Sequence, residues 1–201
     1  MRHLRKATHA WLSAVLVAMA APAIANDCPS GQTGRSGFVV ERGERSITEV
    51  FHLDGAIVRT VMRSGGNALL ETTQFQGLLQ LDRVDTGRRT TFRPKHQLAA
   101  IFPLKTGQQS TAEFEVEGAQ GRASIATVVL KVLAKDSLFI GPCRYEILKI
   151  ERSEGRGERP PQLINIDYYA PELKLVIAKE YKERDGRLTL IKFDRIYPIK
   201  R

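Results

Sequence analysis

The chain has 201 residues, with 31 lysines and arginines against 22 acids and a net charge of +9 at neutral pH. That length suits one domain with a real core, and the charge favours anionic partners such as lipid head groups, lipopolysaccharide phosphates and cell-wall polymers. Two cysteines and four histidines leave little supply for a zinc cluster, which needs three or four such ligands.

The first 25 residues have the three parts of a secretory leader in order. Met1-Arg2-His3-Leu4-Arg5-Lys6 is basic, Ala10 to Ala21 is apolar, and Pro22-Ala23-Ile24-Ala25 ends in an A-x-A site. The apolar run is short of the roughly 20 residues that span a bilayer. Cleavage is therefore expected after Ala25, leaving residues 26–201 as a single periplasmic domain. Asp27 stands just before Cys28, where a lipoprotein signal carries a small residue, so lipidation is not expected. No second apolar stretch of spanning length follows. An exported protein is not expected to meet nucleic acid.

Cys28 and Cys143 are the only cysteines. Behind a secretory leader an even count reads as a disulfide framework, and two cysteines allow one internal pairing.

From residue 37 onward the chain reads as strands punctuated by turns. Strands are expected at 37–42, 46–53 and 56–63, with Asp54-Gly55 as the hairpin signature between the last two. Two more follow at 68–75 and 77–84. Residues 82–96 then carry Arg83, Arg88, Arg89, Arg93 and Lys95 against Asp82 and Asp85. Convergent arginines suit bidentate contacts to phosphate or carboxylate, so these five form the candidate anion site. The plain reading of the same stretch is a charged, solvated hairpin. Residues 96–102 are the best helix candidate, stopped by Pro103.

Ala112-Glu113-Phe114-Glu115-Val116-Glu117 is a clean alternation, the mark of a half-buried antiparallel strand. Residues 121–134 are more uniformly apolar, which fits a strand buried on both faces or a bent one. Residues 143–151 form the next strand, and 153–161, rich in Gly, Pro and charge, a solvated loop. Strands at 162–169, 173–182 and 187–197 complete the chain, with Asp185-Gly186 as the last turn.

Many strands joined by hairpin turns give a mainly all-β fold: an antiparallel meander curved into a half-open or closed barrel-like sheet, with little helix. An outer-membrane barrel is the other architecture, but the strands lack a continuous lipid-facing apolar band.

The search for chemistry yields little. Of the histidines, His52 and His96 follow the leader, with no His-x-His or Cys-x-x-Cys pair, so no metal or other cofactor is expected. His52 is expected on a solvated strand face. There is no Gly-x-Ser-x-Gly elbow, and Gly155 and Gly157 sit among charges as loop residues. Glu113, Glu115 and Glu117 share one strand face at a spacing of roughly 7 Å, which overlaps that of an inverting glycosidase. A catalytic acid needs burial to raise its pKa, and the alternating Ala112, Phe114 and Val116 claim the buried side.

Asp167-Tyr168-Tyr169-Ala170-Pro171-Glu172-Leu173-Lys174, together with Phe102-Pro103-Leu104-Lys105-Thr106-Gly107 and Cys143-Arg144-Tyr145-Glu146-Ile147, resembles exported bacterial β domains of uncharacterised function. In those a Tyr-Ala-Pro-Glu-Leu-Gly turn joins two strands, and Lys174 stands here in place of the glycine. The resemblance implies a fold and a compartment and no catalytic residues. The function expected is a non-enzymatic periplasmic module that binds an anionic or amphipathic envelope molecule or another envelope protein. A glycan hydrolase using carboxylates and a purely structural interaction domain are the two alternatives.

Overall fold

The structure, a computed structural model, describes residues 28–31, 37–44, 46–118, 121 and 123–199. The expected leader and its cleavage site after Ala25 lie outside the described residues.

Thirteen strands make one sheet: β1 (Phe38–Arg42), β2 (Ser46–His52), β3 (Ile57–Ser64), β4 (Asn67–Phe75), β5 (Leu79–Asp85), β6 (Arg88–Pro94), β7 (Gln109–Glu117), β8 (Ala123–Ile140), β9 (Cys143–Arg156), β10 (Gln162–Ala170), β11 (Leu175–Lys182), β12 (Leu188–Lys192) and β13 (Arg195–Pro198). From β1 to β12 every two consecutive strands pair antiparallel, and β13 pairs with β1. The all-β meander expected from the turn spacing is therefore the architecture found, and the sheet is curved but not closed, with β12 and β13 as its two edges.

The differences from the sequence reading have local causes. Residues 96–102 form no α-helix; a single 3-10 turn spans Leu98–Ile101, a run too short for helix nucleation to be repaid by propagation. The segment 187–197 is two strands rather than one. Between them Phe193 donates its N–H to the Ile177 carbonyl of β11 (3.3 Å), and the next residue, Asp194, donates to the Glu41 carbonyl of β1 (2.7 Å). The chain steps from one sheet edge to the other within two residues. The apolar run 121–134 belongs to a strand reaching Ile140 that shifts register between Val132 and Ala134. Such an irregularity bends a strand, so the bent form of that expectation holds. The expected loop 153–161 also gives up its first half to β9, which continues to Arg156.

The core divides in two because β9 to β11 are buried on both sides. Consecutive strand residues face opposite ways, and Ile147 and Leu148 are both buried, in different clusters. Ile147, Tyr145, Ala170 and Ile177 pack on one side against Phe38, Val40, Val50 and Val58 of β1 to β3. Leu148, Ile150 and Tyr169 pack on the other side against Phe114, Val128 and Leu130 of β7 and β8. Each fully buried large side chain contributes about 1.5–3 kcal/mol to such a core.

Two devices tie distant parts of the chain to the sheet. The expected disulfide is present: Cys28 bonds Cys143 across 115 residues, and Tyr145 Oη donates to the Pro29 carbonyl (3.1 Å). The short N-terminal segment is thereby strapped over the start of β9. Elsewhere the β4–β5 turn butts against the β10–β11 turn. A Cβ on Gly77 would lie 1.7 Å from the Lys174 carbonyl oxygen, so only glycine permits that approach. Tyr169 Oη donates to the Gln76 carbonyl (2.8 Å) beside it.

Candidate functional site: an arginine-lined cavity

Residues directly opposite in an antiparallel ladder share a face. Phe92 lies opposite Val116, Phe114 opposite Ala126, and Ala112 opposite Val128. Continuing onto β9, Ala126 faces Arg156, Val128 faces Glu154 and Leu130 faces Arg152. One inner surface therefore passes from aromatic and aliphatic side chains on β6 to β8 to a ladder of charges on β9. Arg83, opposite Thr90, joins it from β5.

These residues enclose a cavity of about 570 Å³, within the range of small-molecule sites. Phe92, Phe114, Val116, Ala126 and Val128 give it an apolar floor. Arg83, Arg152, Arg156 and Arg159 stand on its walls against a single acid, Glu154. Gln80 also lines it, and the Gln80 Nε2 donor is buried with no hydrogen-bond partner among the described residues. The turn after β9 folds back to form one wall: the Arg159 N–H bonds the Arg156 carbonyl (3.3 Å). A Cβ on Gly155 would come within 2.7 Å of the Arg159 carbonyl oxygen, which explains the glycine.

Behind the cavity Arg152 reaches into the core. Its Nε donates to Glu154 Oε1 (2.6 Å) and its Nη1 to the Leu78 carbonyl (3.0 Å). The same Nη1 lies 3.6 Å from Asp167 Oδ2. Asp167 is wholly buried. It accepts from Asn165 Nδ2 (2.6 Å) and is flanked by Lys179 Nζ at 3.6 Å. A buried carboxylate persists only when paired, and here two cations and an amide hold it. The network fixes the Arg152 guanidinium from three directions.

The sequence-predicted cations are placed differently from one another. Arg83 lines the cavity, with Nη2 donating to Asp85 Oδ2 (2.6 Å). Arg89 pairs with Asp82 (2.9 Å), Arg93 with Glu117 (2.9 Å) and Lys95 with Glu113 (3.8 Å). Arg88 sits opposite Asp85 at the hairpin end, exposed. The other cavity arginines, Arg152, Arg156 and Arg159, lie some 70 residues further along the chain. Their one local signal is the i, i+2, i+4 series Arg152, Glu154, Arg156, which places three charges on one face once β9 is known to extend that far.

The remaining candidates resolve simply. Glu113, Glu115 and Glu117 alternate with buried Ala112, Phe114 and Val116 and face solvent; two of them pair with cations across the strand. They form no buried acid pair. His52 is not on a solvated face: its Nε2 lies 2.9 Å from the Leu173 carbonyl and its ring packs edge-on against Phe38. His96 is exposed. Among the described residues no group of three His, Cys, Asp or Glu is placed to hold a metal ion. Burial pushes the Tyr145 hydroxyl up to about 12 and the Tyr169 hydroxyl higher still.

No family model matches the chain, and no curated protein matches it. Among solved structures it is similar to the hypothetical lipoprotein YmcC from Escherichia coli (K12), at 12% identity and a TM-score of 0.48, over 79% of this chain and 87% of that one. Nothing about activity or ligand carries over at that distance.

Proposed function

We propose that the protein is a non-enzymatic binding module, exported to the periplasm, that takes an anionic amphiphile into the cavity between β5 and β9. The observation that carries this reading is the pairing of an apolar floor with arginine walls in one concave site. An apolar tail gains by leaving water for the surface of Phe92, Phe114 and Val128, while its charged end meets guanidinium groups at the rim. The export half of the proposal rests on the leader pattern, and the Cys28–Cys143 bridge suits an oxidising compartment.

Native mass spectrometry of the protein purified from periplasm without detergent tests it. The expected result is a reproducible added mass that organic extraction removes. Ala126→Phe, which fills the floor, should abolish that mass while the protein stays folded by circular dichroism. A bare polypeptide mass in the unaltered protein would sink the amphiphile reading. It would turn attention to a second one, docking of another envelope protein along the free edge of β12. There Leu188 and Leu190 are 60% and 45% exposed on a strand with one unpaired side.

A further inference from the structure

We infer that the charged end of the ligand taken by this cavity is a phosphoryl group rather than a carboxylate; the inference rests on the amphiphile reading above. The argument is a count of committed and uncommitted cations. Arg152 is held by Glu154, the Leu78 carbonyl and Asp167. Arg83 is neutralised by Asp85. Arg156 donates its Nε to the neutral Ser124 hydroxyl (3.2 Å). Among the described residues neither Arg156 nor Arg159 meets a carboxylate, and Glu158, in the same turn, is not part of the cavity wall.

These two guanidinium groups stand at the ends of one four-residue turn, closed by the Arg159 N–H to Arg156 carbonyl bond, so their Cα atoms are within about 7 Å. Two long cationic side chains rooted that close can reach one anion together. A carboxylate brings one negative charge and leaves one arginine uncompensated. A phosphate monoester carries about −1.5 to −2 at neutral pH and three acceptor oxygens, enough for both. Gln80 Nε2, a buried donor without a partner among the described residues that lines the cavity, suits an oxygen acceptor of either head group and so leaves the choice to the two arginines. Planar guanidinium forks match phosphate in two-bond contacts, with both charge and direction satisfied.

The test is isothermal titration calorimetry of the exported protein at pH 8 with dodecyl phosphate, dodecanoate and inorganic phosphate, the two amphiphiles below their micellar concentrations. Dodecyl phosphate is expected to bind about tenfold more tightly than dodecanoate, the worth of one or two added charge-assisted hydrogen bonds. Arg156→Gln with Arg159→Gln is expected to bring that ratio close to one while dodecanoate still binds. Both residues are exposed, so the variant is expected to keep its melting temperature. Equal affinity for the two amphiphiles in the unaltered protein would overturn the phosphoryl inference and leave the amphiphile reading standing. Inorganic phosphate binding as tightly as dodecyl phosphate would support the phosphoryl group and overturn the amphiphile, making the source a soluble phosphate. Failure of all three to bind would overturn both.

Discussion

Lys174 holds a left-handed backbone, with φ of 48°, a conformation that costs a residue bearing a Cβ about 1–2 kcal/mol. The turn takes a backbone geometry that glycine adopts without strain. Lys174→Gly is therefore expected to stabilise the protein by up to about 1 kcal/mol, part of the relief being offset by the freer unfolded chain. Urea unfolding checks it, and a lower midpoint would show that the lysine side chain contributes more than its backbone costs. The tyrosines give a second residue-scale expectation. Tyr145 is protonated and neutral in the core, and its folded pKa is raised from 10.0 to about 12 by burial. A group held protonated by the fold contributes stability that is whole below the unfolded pKa and is lost as pH rises beyond it. Melting temperature should thus fall between pH 10 and 12. Tyr145→Phe should begin lower at pH 7, having lost the bond to the Pro29 carbonyl, and fall less steeply above pH 10. Equal slopes in the two proteins would assign the alkaline loss to other groups.

Legibility at the scale of elements follows from what each strand buries. β2, β3 and β4 are visible because the turns between them carry Asp54-Gly55 and Gly65-Gly66, and β7 because its apolar and acidic residues alternate strictly. β6, Arg-Arg-Thr-Thr-Phe-Arg-Pro, was masked by its charges, since only Phe92 on it reaches the core. The far end of β9 was masked for the same reason: Arg152, Glu154 and Arg156 look like loop residues until their neighbours are known. That masking is also why the cavity was hardly legible. Arg83 alone of its four arginines was singled out, because convergence from β5 and β9 is a matter of curvature and register, which local pattern does not encode. The disulfide is the opposite case, readable from two cysteines and a leader. It ties the segment at 28–31 to β9, and removing it frees that strap. Cys28→Ala with Cys143→Ala is expected to cost about 2–5 kcal/mol, measured by chemical unfolding of the doubly substituted protein. A loss below about 1 kcal/mol would mean that the strap adheres through packing and the Tyr145 bond alone.

For the whole molecule, the turn chemistry and alternation were enough to specify an antiparallel meander, and the structure has one. What they did not specify is that β9 to β11 serve two cores at once. The uniformly apolar run 121–134 fits either double burial or a bend, and it is bent; the double burial falls on β9, where Ile147 and Leu148 point to opposite sides. The signal was present in Tyr145, Ile147, Leu148 and Ile150, a series whose apolar parity switches at 147–148. Such a switch is physically informative: it marks where a sheet stops covering one half of a protein and starts covering the other.

The step at Phe193 and Asp194 sets an order of events. A chain that emerges N-terminus first can lay down β2 on β1, β3 on β2 and so on, each hairpin completed as soon as its second strand appears. The outer side of β1 is different, for its partner is β13, made only after every other strand of the sheet. Until residues 194–198 arrive, β1 offers a row of unsatisfied amide and carbonyl groups to any neighbour that can add a strand. A growing chain of this design is therefore a template for its own aggregation from the completion of β1 to the arrival of β13. Loss of residues 194–198 would make that temporary exposure permanent.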